Sequence, residues 1–115
     1  MTNYEKGRRF EYRVRDLFKG YGFVVIRAAQ SKPIDLVCLK DGKSILVECK
    51  VNKSSLGQNR RKELLDIART SKSMPILAYR EKRKVKLLNV ETSNQFFLSC
   101  EISGKEKERK VLDCS

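Results

Sequence analysis

Apolar residues recur with helical spacing near the start of the chain. Phe10, Val14, Leu17, Phe18 and Tyr21 gather into one stripe at about 100° per residue, which predicts a helix over residues 2–20. Thr2 followed by Glu5 fits a capping box, and Gly20 and Gly22 supply the stop. A continuous apolar run at 23–26, ending at Arg27, predicts a short strand. Residues 28–33 read as a loop, with Pro33 suited to a strand start. Two apolar segments then flank Lys40, Asp41, Gly42 and Lys43: one carries Ile34, Asp35 and Leu36, the other Val47, Glu48, Cys49 and Lys50. Asp-Gly between such segments signals a two-residue hairpin, because a type I′ turn needs positive φ at both central positions. With Asp41 and Gly42 as the loop, Lys40 faces Lys43, and stepping back along the ladder sets Asp35 opposite Glu48.

Residues 52–57 are polar, with Ser54 or Ser55 as the expected cap of a helix over 58–70. That helix turns Leu64, Leu65, Ile67 and Ala68 inward and leaves Arg60, Arg61 and Lys62 exposed. Apolar strands follow at 74–79 and 84–90, joined by a basic connection at 80–84. Residues 95–102 fit either a last strand or a short helix. The pattern holds no repeat and no linker, so residues 1–103 read as one domain and 104–115 as a charged, loosely ordered tail. Helix, three strands, helix and one or two further strands describe an α/β sandwich with a mixed sheet covered by helices.

Composition adds a partner to this picture. Lys and Arg number 26 against 14 Asp and Glu, a net charge of +12. Such an excess points to a polyanion, of which nucleic acid is the commonest; the bland reading is a basic protein without particular affinity. Absence of an apolar run of membrane-spanning length and of an apolar signal region predicts a cytoplasmic protein. The chain has 4 cysteines, none in a Cys-x-x-Cys spacing, and no histidine. That disfavours structural zinc and removes Ser-His, Cys-His and His-His chemistry. Carboxylates and lysine must carry any catalysis.

Asp35 and Glu48 supply such a group. Facing across a ladder at about 5 Å, two carboxylates repel by roughly 3 kcal/mol at an effective dielectric near 20. A divalent cation is the natural compensation, and oxygen ligands suit Mg²⁺ or Mn²⁺. Alternation puts Lys50 on the face of Glu48, with Val47, Cys49 and Val51 on the other. An ammonium there can orient water or stabilise charge on a phosphate. The competing reading is a strand-ending aspartate and a surface Glu48–Lys50 ion pair. Glu11 stands at the border between the apolar stripe and a basic row of Arg8, Arg15 and Lys19. It is either a third acidic group of the site or a surface glutamate held by neighbouring arginines. Ser31, in the loop before Asp35, reads on its own as a plain loop serine.

Asp35 and Glu48-Cys49-Lys50 in a βββ unit after an acidic helix resemble the PD-(D/E)XK nuclease superfamily, with Pro33, Ile34 and Asp35 departing from a strict Pro-Asp by one residue. More specifically the chain looks like the archaeal Holliday junction resolvases. Lys6, Gly7, Arg8 and Glu11 match in the first helix and residues 22–27 in the first strand. The likeness runs over roughly residues 5–90 and is strongest up to Val51.

This resemblance implies a restriction-endonuclease-like αβββαβ core. It implies a Mg²⁺-dependent endonuclease, with Mn²⁺ able to substitute, that cuts four-way DNA junctions in recombination and repair as a homodimer near the nucleoid, without a small-molecule cofactor. Glu11, Ser31, Asp35, Glu48 and Lys50 would be catalytic. Glu11, Asp35, Glu48 and the backbone carbonyl of Cys49 would hold the metal. Arg8, Arg9, Arg15, Arg27, Lys32, Lys53, Arg60 and Arg61 would contact DNA. The alternatives are an endonuclease of the same superfamily acting on other DNA, and a non-catalytic DNA-binding protein on the same scaffold. An RNA-binding module would need surface aromatics for stacking, whereas most aromatics here fall in apolar stripes.

Overall fold

In the computed structural model of the chain, residues 2–29 and 34–98 are described. Helix α1 (Asn3–Gly20) precedes β1 (Val24–Arg27), β2 (Leu36–Lys40) and β3 (Lys43–Cys49). A 3₁₀ turn (Lys53–Ser55) leads to α2 (Gln58–Ser71), β4 (Met74–Glu81), β5 (Lys84–Asn89) and β6 (Gln95–Phe96). The strands form one sheet in the order β1-β2-β3-β4-β5-β6. Among the described strands only β3 and β4 pair parallel. A parallel pair needs a crossover, and α2 is that crossover. This mixed sheet flanked by helices is the restriction-endonuclease-like α/β architecture expected above.

The capping box forms as read. Glu5 N–H donates to Thr2 Oγ1 and Thr2 N–H donates to Glu5 Oε1, each at 3.1 Å. The stripe Phe10, Val14, Phe18 and Tyr21 is buried against Leu36, Cys38, Ile45 and Val47 on one face of the sheet. The opposite face buries Leu46, Leu77 and Tyr79 under Leu64 and Ala68 of α2. Full burial of a side chain such as Phe18 or Leu64 contributes roughly 1.5–3 kcal/mol.

The β2–β3 hairpin follows the expected register, Lys40↔Lys43 through Leu36↔Val47. Its turn has φ of 48° at Asp41 and 79° at Gly42, the two positive values that a type I′ turn requires. Paired strand ends at Leu36, however, and Asp35 occupies a bend just before it. Ile34 packs with the α2-side core and Leu36 with the α1-side core. Strict alternation would have put both on one face, so the bend at Asp35 breaks the alternation.

Three further expectations change. Ser54 and Ser55 lie in the 3₁₀ turn, and α2 is capped by Gly57 without a side-chain hydrogen bond. Ile67 faces outward at 37% exposure, while Leu64 and Ala68 carry the packing. Strand β4 continues to Glu81, which leaves only Lys82 and Arg83 as the turn into β5, with φ of 51° and 67°. Of residues 95–102, Gln95 and Phe96 form a strand beside β5, and those beyond Leu98 lie outside the described residues, as does the 104–115 tail. Among the described residues no helix is long and apolar enough to cross a membrane.

Candidate active site

The ends of β1 and β3, the bend before β2 and the first turns of α1 enclose a cavity of about 800 Å³, into which Glu11, Arg8, Arg27, Asp35, Cys49 and Lys50 all reach. Backbone bonds fix the acidic bend. Asp35 N–H donates to the Val47 carbonyl at 2.9 Å, and Ala28 N–H donates to the Asp35 carbonyl at 2.9 Å. The Asp35 carboxylate is aimed by Cys49 N–H, which donates to Oδ2 at 2.7 Å. Lys50 is placed by the parallel ladder, its N–H donating to the Ala78 carbonyl of β4 at 2.9 Å.

Glu48 is buried behind this cavity, at 2% exposure and flanked on the ladder by Leu77 of β4. One carboxylate oxygen, Oε2, accepts from Arg60 Nη1 at 3.1 Å and lies 3.7 Å from Lys50 Nζ. The other, Oε1, is buried without a donor among the described residues. Burial, and then the negative charge of Asp35, pushes the carboxyl up to about 8, while Lys50 and Arg60 oppose the rise. The charge of Asp35 thus bears on Glu48, but Asp35 stands outside the paired strand, so the two are not the ladder pair that the register predicts. Arg60 differs from its expected place. Read as an exposed face residue, it is half-buried and reaches back from the first turn of α2 to neutralise a strand carboxylate.

Glu11 enters the same cavity, but Arg27 Nε donates to its Oε2 at 3.1 Å. Among the described residues no three Cys, Asp or Glu side chains converge as an ion-binding group. The donors that do converge fit a hard divalent cation: two carboxylates in contact, one with an unpartnered buried oxygen, and no soft ligand in play. Mg²⁺ retains several waters and needs only one or two carboxylates. Of the described thiols, burial holds Cys49 well above its ordinary range and pushes Cys38 up to about 12, so both stay protonated.

The cationic residues sort by distance from this centre. Arg8 and Arg27 line the cavity. Arg8, Arg15 and Arg27 converge on the Tyr12 ring at 5.8, 4.6 and 5.0 Å. Arg8 also donates to the hydroxyls of Tyr12 (3.0 Å) and Tyr4. Tyr4 and Tyr12 thus lie outside the apolar stripe, Tyr4 being 69% exposed. Arg9 is exposed, Lys53 lies 5.6 Å over the Tyr79 ring, and Arg61 donates to the Val90 carbonyl at 3.0 Å. Ser31 and Lys32 lie outside the described residues.

Three relationships to known proteins bear on this geometry. The profile of the family described as archaeal Holliday junction resolvase (hjc) matches residues 2–112. Over 49 residues, 43% of this chain, the sequence is 41% identical to crossover junction endodeoxyribonuclease Hjc of Methanocaldococcus jannaschii, the match spanning 37% of that relative's length. The solved structure of Archaeoglobus fulgidus Hjc, a Holliday junction resolvase from an archaeal hyperthermophile, is similar with a TM-score of 0.65 and 25% identity, covering 75% of this chain and 74% of that one. Since the family profile runs through both helices, the whole sheet and every residue of the carboxylate and lysine group, the chain belongs to the archaeal Holliday junction resolvase family.

Proposed function

We propose that the chain is a Mg²⁺-dependent endonuclease that hydrolyses phosphodiesters at four-way DNA junctions, acting on cytoplasmic, nucleoid DNA in recombination and repair. The observation that carries this is the buried Glu48 carboxylate, one oxygen unpartnered, against Asp35 and beside a cationic cavity open to a polyanion. A fold tolerates such a pair when an ion completes it.

Asp35, Glu48 and the Cys49 carbonyl are the residues that would hold Mg²⁺, with Mn²⁺ as a substitute. When bound, the ion polarises the phosphodiester and makes water more acidic. Cys49 N–H keeps Asp35 oriented, and Arg60 favours the ionised Glu48 carboxylate and holds it by Oε2, leaving Oε1 free. Lys50 places its ammonium where it orients the attacking water or meets charge building on the phosphate. Glu11 and Arg27 act as a pair, with Glu11 holding the guanidinium at the mouth of the cavity for a backbone phosphate. Ser31 is carried as a further contributor by family likeness alone, and Arg9, Arg15, Lys32, Lys53 and Arg61 as outer DNA contacts.

The homodimer finds support on the β1 edge of the sheet. Val24, Ile26 and Leu39 are 62%, 50% and 37% exposed on β1 and β2, an apolar face on an edge strand of the kind a second copy covers.

The test is cleavage of a labelled four-way junction beside a linear duplex of the same arm sequence, with Mg²⁺ and with EDTA. Paired cuts in the junction alone, lost in EDTA and in Glu48→Gln, are expected. Cutting of both substrates would remove junction selectivity. Turnover retained by a purified Asp35→Asn or Glu48→Gln protein would overturn the assignment of the site.

A further inference from the structure

Helix α1 has a second basic groove on the flank opposite the catalytic cavity. Lys6, Arg9 and Arg13 of α1 and Arg80 of β4 line it over the ring of Phe10, with a volume of about 330 Å³ and no carboxylate among the described residues of its wall. At about 100° per residue, Gly7, Arg8 and Glu11 project about 80° to one side of the buried stripe, and Lys6, Arg9 and Arg13 about 90° to the other. Arg13 is pinned by one bond, Nη2 donating to the Arg83 carbonyl at 2.7 Å. That tie brings the β4–β5 hairpin, with Lys82, Arg83 and Lys84 at and beside its tip, against the same flank.

We infer that this groove holds a phosphodiester backbone of a second DNA arm, so that α1 is a ridge on which two arms diverge. The inference rests on the nuclease reading and deepens it by naming how a branch is told from a plain duplex. Four cations without a carboxylate suit a polyanion, and a backbone is the polyanion already beside the catalytic cavity. A single duplex straddled by α1 is the rival arrangement. The outer crest of the helix argues against it. Glu5 and Asp16 stand there, Asp16 at 64% side-chain exposure and paired with Arg15 at 3.0 Å, and carboxylates pressed into a DNA groove would face its negative potential. At a fork the crest looks into open space between the arms.

The experiment measures binding of the full chain, with Ca²⁺ in place of Mg²⁺, to a four-way junction and to a linear duplex across a salt series. The variant is Lys6→Gln with Arg13→Gln, and Lys6→Gln alone, which leaves the Arg13–Arg83 bond intact, guards against a folding defect. Each lost phosphate contact flattens the salt slope by about 0.9, so the double variant should lose about 1.8 from the junction slope and keep the duplex slope. Equal losses on both substrates would establish the single-duplex arrangement, and no loss on either would reduce the groove to a solvated face; both overturn the inference. A wild-type chain that binds both DNAs alike would instead overturn the junction reading beneath it.

Discussion

Glu48 couples folding to pH in a direction opposite to that of an ordinary carboxylate. Its carboxyl is raised from 4.5 to about 8 in the folded chain, chiefly by burial. Folding therefore takes up a proton between those two values, and stability of the metal-free protein falls as pH rises through that window, then levels off above it. Glu48→Gln keeps the shape without the charge. Unfolded by urea in EDTA, this variant should be more stable than the wild type at the upper end of the window. Its stability should also depend less steeply on pH across it. With Mg²⁺ held as proposed, the order should reverse, because a ligand of the folded state stabilises only the chain that binds it. Identical pH slopes in EDTA would mean that Glu48 is not the buried acid described.

Arg60 is the other half of that residue-scale account. Losing the partner at 3.1 Å leaves Oε2 with Lys50 alone at 3.7 Å. Groups that orient a metal ligand typically carry about ten- to hundredfold in metal affinity, so Arg60→Gln should weaken Mg²⁺ binding by that order, and Arg60→Lys should restore part of it. Calorimetric titration of both variants checks this, and an unchanged Mg²⁺ isotherm in Arg60→Gln would detach the residue from the site.

At the scale of elements, what is legible in the sequence is local. The Thr2–Glu5 capping box and the Asp41-Gly42 turn each span a few residues, so their chemistry is complete within the string, and the turn fixes the ladder as far as Leu36↔Val47. Arg60 escapes such a reading because its partner depends on where the crossover helix lands on the sheet. Ile67 escapes it for a geometric reason: Leu65 and Ile67 project about 160° apart on a helix, so a narrow buried strip takes one and not both. The bend at Asp35 follows from no periodicity, since alternation carries no mark of where a strand stops. The Lys82-Arg83 turn lacks a signal because neither residue favours positive φ, although both adopt it at 51° and 67°. Left-handed backbone costs a non-glycine residue about 1 kcal/mol or more. Replacing the pair by Asn-Gly, the residues this turn prefers, should stabilise the chain by about 1 kcal/mol, seen as a higher urea midpoint at unchanged slope. An unmoved midpoint would show that the turn carries no such strain.

At the scale of the molecule, one cavity of this kind makes one cut, and resolving a four-way junction takes two. Across the described residues the chain measures 44 × 35 × 25 Å, and its carboxylate pair stands at a single place. Two-fold pairing of identical subunits would supply a second cavity and match the approximate symmetry of a four-way junction. The apolar edge is where that pairing has something to gain: Val24 stands opposite Leu39, and Ile26 opposite Val37, on the sheet face away from α1. Ile26, 50% exposed, can be changed without opening the core. On the proposed dimer, the wild type should sediment as two subunits and Ile26→Glu as one, with its thermal transition nearly unmoved in the monomer range. On the junction it should nick one strand and lose the coupled second cut, since each cavity then acts alone. A dimer that survives Ile26→Glu together with Val24→Lys would move the interface off this edge, and paired cuts by a proven monomer would remove the need for two subunits altogether.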